Sequence, residues 1–220
     1  MLKVAVVLSG CGFLDGSEIH EAVLTLLALD RADAVVTCLA PNVAQTGVID
    51  HLRQEPANEK RNVLVESARI ARGKVLDIAR AQAASFDAIV LPGGYGAAKN
   101  LCNFATAGAA AVVEPAVAQF LRDAFRAHKP IGAWCIAPAT VAAALRNEKA
   151  GLRLTIGSDP DTAQALAAMG VTHVTCPVGD ARVDEANRIV STPAYMCDAR
   201  ISEVATGIDK AVTALLNMAR

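Results

Sequence analysis

Aromatic residues are scarce in this chain: one Trp, two Tyr and five Phe make up 4% of it. The apolar residues, 53% of the total, are rich in alanine instead. That balance suits helices packed closely on a sheet better than a disulfide-built or disordered chain. Charge of either sign is also not in excess. A formal net charge of −1 gives no electrostatic case for nucleic acid or a membrane surface and leaves a small molecule or a protein as partner. The six cysteines, Cys11, Cys38, Cys102, Cys135, Cys176 and Cys197, contain no C-x-x-C pair, and no cluster of histidines completes a zinc site. They read as reduced thiols without a structural metal.

Long apolar runs are missing too. No segment reaches the roughly 18 uninterrupted apolar residues of a membrane span, and Met1-Leu2-Lys3 leads straight into a strand instead of a signal-peptide core. A cytoplasmic location is the expectation. Neither G-x-G-x-x-G nor a G-K-[ST] ending is present, which argues against dinucleotide binding, and no cofactor is expected. No long Pro/Gly/Ser linker divides the 220 residues, so 1–220 is expected to form one domain of a size that buries a substantial core.

What is there alternates strand with helix. Leu2 to Leu8 is an apolar run broken only by Lys3, the pattern of a strand covered on both faces. A glycine-rich turn, Ser9 to Gly16, follows, with Ser17 as the expected cap of a helix over Glu18 to Leu29. Ala34 to Ala40 is a second strand. The polar stretch 41–61 is too long for an ordinary connection and reads as a surface insertion or lid. Asn62 to Ala71 and Val75 to Ala84 have helical spacing broken at Gly73, and Asp87 to Leu91 is a third strand running into Pro92-Gly93-Gly94-Tyr95-Gly96. A helix is expected over Glu114 to His128. In the last third, short strands are expected at Leu152 to Ile156, Val171 to Cys176, Ala181 to Val183 and Arg188 to Val190. A helix over Asp161 to Met169 lies among them, and a closing helix carries Ile201, Val204, Ile208, Val212 and Leu215 on one face, capped near Ser202. Such alternation implies an α/β fold with a parallel sheet, helices on both faces, and a site at the carboxyl ends of the strands.

The most informative stretch is Pro130 to Pro138. The apolar run Ile131 to Trp134 ends at Cys135, and a helix-favouring run from Ile136 to Leu145 begins with no residues left for a loop. A strand that becomes a helix across one residue forces a sharp, strained turn, with the side chain presented above the sheet. The amides that follow, including that of Ile136, are free donors of a helix N-terminus and favour an anion there. Cys135 is therefore expected to be partly thiolate, within the roughly 3.5 to 7.5 pKa range of cysteines so placed. Glu21, in the first turn of the first helix, can point its carboxyl over the same edge.

The strand ending in Pro92-Gly93-Gly94, the G-x-x-C elbow at Gly132 to Cys135 and the helix start Glu18-Ile19-His20-Glu21 resemble the ThiJ/PfpI superfamily. Its fold is the flavodoxin-like three-layer sandwich of class I glutamine amidotransferases. Residues 9–27, Arg61 to Glu66, 92–101, 135–138, Leu154 to Gly157, 192–196 and Gly207 to Lys210 are similar to its ElbB group. The resemblance implies a nucleophile at Cys135 with the Glu21 carboxyl beside its sulfur, and oxyanion donors from the amides of Gly93 or Gly94 and of Ile136. It further implies weak, glutathione- and metal-independent conversion of glyoxal, a small aldehyde, to glycolate, and a homodimer. Where protease-like members carry a histidine just after the cysteine, this chain has Ile136. Among His20, His51, His128 and His173, His20 is the candidate to line the site, although helix neighbours point about 100° apart and Glu21 adjoins it. The alternative is a redox-sensing or regulatory protein that oxidises Cys135 in the same pocket.

Overall fold

Apolar side chains alternate between two faces along each central strand, and this alternation builds the molecule. In β1 (Lys3–Val7), Val4 and Val6 enter one core while Ala5 and Val7 enter another on the opposite side. The computed structural model describes residues 1–148 and 151–220. After β1 come α1 (Ile19–Arg31), β2 (Val35–Ala40), a short hairpin of β3 (Ile49–Asp50) and β4 (Glu55–Pro56), and α2 (Val63–Ile70). The chain continues through β5 (Val75–Asp77), β6 (Ala88–Leu91), α3 (Tyr95–Lys99), α4 (Phe104–Ala107), α5 (Pro115–Arg126), β7 (Ile131–Trp134) and α6 (Ala137–Leu145). It closes with β8 (Arg153–Leu154), α7 (Pro160–Ala168), β9 (Thr172–His173), β10 (Arg182–Asp184), β11 (Ile189–Thr192) and α8 (Ile201–Ala219).

Seven strands form one sheet in the order β10-β11-β7-β6-β1-β2-β5, parallel throughout except that β10 runs antiparallel to β11. This is the flavodoxin-like α/β architecture with helices on both faces. Leu29 of α1 and Val204, Ile208 and Leu215 of α8 cover one face with Val4, Val6 and Val90. Val117, Leu121 and Val141, from α5 and α6, cover the other with Ile89, Leu91 and Ile131. Because β1, β6, β7 and β11 are adjacent and parallel, the loops at their carboxyl ends meet over one edge.

Several expectations change. Val75 to Ala84 is not a helix: Val75–Asp77 pairs with β2 as the sheet's edge strand, and two 3₁₀ turns, Ile78–Arg80 and Ala83–Ser85, follow. Pairing with an open sheet edge overrides an ambiguous apolar spacing. Glu18, not Ser17, caps α1, its carboxylate accepting from the Glu21 N–H at 2.7 Å, while buried Ser17 bonds the Ser9 N–H. At α8 the Arg200 N–H donates to Glu203, so the cap lies before Ser202. Leu152 to Ile156 and Val171 to Cys176 shrink to β8 and β9, a separate parallel pair. The 41–61 segment carries the β3–β4 hairpin and leans on the glycine-rich loop through Asp15, which accepts from the Ile49 N–H at 2.8 Å.

Candidate active site at the carboxyl edge of the sheet

Cys135 sits at φ +57°, in the left-handed region, between β7 and α6. A non-glycine residue there costs on the order of 1–3 kcal/mol and persists only where the surroundings impose it. They do so here. Its N–H is held by the Thr192 carbonyl at the end of β11 (3.0 Å), and the preceding Trp134 is fully buried, its indole N–H donating to Thr25 of α1 at 2.9 Å. Gly132 leaves the room for that indole: a Cβ there would lie 2.7 Å from it.

The same α1 carries Glu21, whose side chain is wholly buried. Its Oε2 accepts from the Gly93 N–H at 2.8 Å and its Oε1 from the Tyr195 N–H at 3.2 Å, and the carboxyl meets the Cys135 sulfur. Gly93 sits between the two functional groups, so closely that a Cβ on it would lie 2.4 Å from Cys135 Cβ and 2.8 Å from Glu21 Oε2. Gly94 turns at φ +92° against the start of α1. The Tyr95 N–H donates to the Phe13 carbonyl (2.7 Å) and the Gly96 N–H to the Gly16 carbonyl (2.8 Å), tying this turn to the loop after β1.

Two backbone amides, Gly94 and Ile136, point at the sulfur. The Gly93 amide, the other candidate donor, is occupied by Glu21. Burial pushes the Glu21 carboxyl up to about 7, helped by the nearby Glu18 charge and opposed by the two amides and the thiol. Burial and the Glu21 charge push the Cys135 thiol upward as well, against the pull of the Gly94 and Ile136 amides. The expected partial thiolate is thus not what the site holds at rest. Cys135 is only 7% exposed, and a helix N-terminus does not outweigh desolvation beside a carboxylate. What the arrangement offers is a thiol whose proton has a base within reach and whose sulfur faces two fixed amide donors.

Cys135 opens into a cleft of about 350 Å³ bounded by Phe13, Tyr95, Phe104, Tyr195 and Met196, with Glu18 and Asp159 also on its wall. Residues 41–61 do not line it, so that segment is no lid over Cys135. His20 does not line the cleft; its Nδ1 lies 3.0 Å from the hydroxyl of Tyr195, which does. His51 lies on the far side of the first loop, between the Leu14 N–H (3.3 Å) and the Ile49 carbonyl (3.0 Å). Cys11 is half-buried near Glu66, Arg69, Asp15 and Arg61, outside the cleft. Sequence reasoning missed Tyr195 and Asp159. Tyr195 was within reach of it, since the residue lies three positions past the end of β11, a neighbour of the Cys135 strand. No group of three or more metal-ligating side chains converges among the described residues.

Residues 3–156 match the DJ-1/PfpI family. A human protein, glutamine amidotransferase-like class 1 domain-containing protein 3, mitochondrial, is 44% identical over 98% of this chain and 83% of its own length. The zebrafish (Danio rerio) ES1 protein, mitochondrial, is 36% identical over 88% of this chain and 77% of its own. A crystal structure from Ehrlichia chaffeensis, of an isoprenoid biosynthesis protein with amidotransferase-like domain, superposes with a TM-score of 0.94 at 43% identity, covering both chains fully. Drosophila melanogaster DJ-1beta, at 20% identity and a TM-score of 0.54 over 99% of this chain and 95% of its own, shares the fold. These relatives overturn the expected cytoplasmic location. The human and zebrafish proteins are named as mitochondrial, and opening residues that lack a signal-peptide core do not distinguish that compartment from the cytosol.

Proposed function

We propose that this chain, which belongs to the DJ-1/PfpI family, is a cofactor-independent glyoxalase of the ElbB type, with Cys135 as nucleophile and Glu21 as its acid and base. The observation that carries the reading is the buried Glu21 carboxyl against the Cys135 sulfur, fixed by the Gly93 and Tyr195 amides. The narrower ElbB assignment is supported by the Ehrlichia chaffeensis structure.

In the first step the sulfur adds to one aldehyde carbon of glyoxal while the thiol proton passes to the Glu21 carboxylate. The new oxyanion is received by the Gly94 and Ile136 amides and takes up a proton to give a hemithioacetal. Glu21 then moves a proton from that carbon to its neighbour, so one carbon is oxidised to a thioester as the other is reduced to an alcohol. Water cleaves the thioester, releasing glycolate and restoring the thiol. Every atom of glyoxal and one water is accounted for, and no outside oxidant or reductant enters.

Glutamine hydrolysis and proteolysis fit less well, because Ile136 follows the cysteine and, among the described residues, no histidine lines the cleft. Redox sensing is also disfavoured: oxidation follows thiolate character and exposure, and this thiol is buried and pushed upward. A homodimer, by analogy with the family, completes the reading. The test is steady-state turnover of glyoxal by the purified protein beside Cys135→Ala. Activity in the parent and its loss in the variant are expected; equal activity in the two removes covalent catalysis by Cys135.

A further inference from the structure

We infer that the Cys135 cleft selects uncharged or cationic carbonyl compounds with an apolar body and excludes those bearing a carboxylate. This rests on the reading that Cys135 attacks a carbonyl carbon, and it concerns what else that carbonyl compound carries. At about 350 Å³ the cleft lies in the range of pockets that bury drug-sized ligands, roughly 300–1,000 Å³. A two-carbon dialdehyde leaves most of it empty. The remaining space is walled by Phe13, Tyr95, Phe104, Tyr195 and Met196. Phe13 and Tyr95 are 42% and 52% exposed, in a chain that has few aromatics to spend at its surface. Rings left open beside a nucleophile are apolar surface that a substrate body can cover.

The charge on the wall has one sign. Glu18 and Asp159 line the cleft, and among the described residues no Lys, Arg or His does. Each acid spends one carboxylate oxygen on a helix start: Glu18 Oε2 accepts from the Glu21 N–H at 2.7 Å, and Asp159 Oδ1 from the Thr162 N–H at 2.8 Å. The Thr162 hydroxyl also bonds Asp159, and the Ile19 and His20 amides also meet Glu18, so both acids are held at the wall by polar groups that carry no positive charge. Two basic side chains adjoin the wall but are engaged elsewhere. Lys99 Nζ donates to the Leu14 carbonyl and lies 5.1 Å from the centre of the Tyr95 ring, and His20 bonds the Tyr195 hydroxyl. An entering carboxylate therefore meets two acids and no cation on the wall, whereas an ammonium meets two acids and aromatic side chains.

The experiment reads charge preference at the sulfur itself and needs no turnover. Cys135 is modified with two methanethiosulfonates of similar size, one carrying a trimethylammonioethyl group and the other a sulfonatoethyl group. In each case the sulfur attacks the sulfenyl sulfur, a mixed disulfide forms and methanesulfinate leaves. Rates are followed by mass spectrometry of the Cys135 peptide and divided by those of free 2-mercaptoethanol. The normalised cation-to-anion ratio cancels the nucleophilicity of the sulfur, and measuring it at pH 8.5, where Glu21 is ionised in every protein compared, keeps the charge of Glu21 constant. We expect a ratio of roughly tenfold or more, equivalent to about 1.4 kcal/mol. Glu18→Gln and Asp159→Asn, which keep the capping oxygens, should each lower it by severalfold. A wild-type ratio near one, or one unchanged in both variants, overturns the inference whether or not glyoxal is a substrate. A high ratio without glyoxal turnover sustains the inference and removes only the reaction proposed above.

Discussion

The Glu21 carboxyl and the Cys135 thiol share one buried site in which each controls the proton of the other. Burial pushes Glu21 up to about 7, and burial together with the Glu21 charge holds the thiol proton on sulfur. The pair thus carries the thiol and its base together at neutral pH, instead of a standing thiolate.

Reactivity at Cys135 should follow the ionisation of Glu21. The base form is needed, so alkylation by iodoacetamide and turnover should both rise about tenfold per pH unit below 7 and level off above it. Glu21→Gln removes the base. It should abolish that limb and lower turnover by about 10²-fold or more, the usual scale of general acid/base catalysis. Peptide-resolved labelling rates from pH 5 to 8 check this, and a limb that persists in the variant would assign it to another group.

Stability should carry the same signature with the opposite trend. The carboxyl is at about 7 in the folded state against an ordinary 4.5, so the folded chain binds that proton more tightly than the unfolded one. The contribution is fully present below about 4.5 and is lost as pH rises through 7. It amounts to on the order of 3 kcal/mol at 1.36 kcal/mol per unit. Urea unfolding at pH 5 and 8 should show wild type losing about that much relative to Glu21→Gln. Parallel losses in the two proteins would contradict the raised value.

Gly93→Ala should damage the site and the fold together. The added methyl would meet the Cys135 Cβ, the Glu21 carboxylate and the Trp134 carbonyl, all within 3 Å. Overpacking of this kind costs roughly 1–3 kcal/mol, and displacement of the carboxyl should remove most activity. Thermal unfolding and glyoxal turnover measure the two effects. An active, equally stable variant would show that the turn relaxes.

Much of this site was legible because chain order places it. An apolar strand that runs into a helix with no intervening loop can only put Cys135 at an elbow, and adjacent parallel strands bring the Pro92-Gly93-Gly94 turn and the start of α1 to the same edge. The ionisation of Cys135 was not legible. It depends on how deeply Gly93, Gly94, Ile136 and Tyr195, from segments far apart in the chain, bury the sulfur and the carboxyl, and local helix-terminus reasoning omits that desolvation. The same limit explains β5: the apolar spacing after Gly73 suits a helix, and only the exposed edge of β2 makes Val75–Asp77 a strand. Tyr195 and Asp159 entered the cleft from the last third, where short irregular segments carry no period to read.

The central claim is a covalent bond between Cys135 and the aldehyde, and rapid acid quenching during glyoxal turnover, followed by mass spectrometry, tests it most directly. The account predicts an adduct of one glyoxal unit on the peptide containing Cys135, formed and consumed at the rate of glycolate release and absent from Cys135→Ala. Glycolate produced at the parent rate by Cys135→Ala, or an adduct confined to Cys11 or another cysteine, would contradict it.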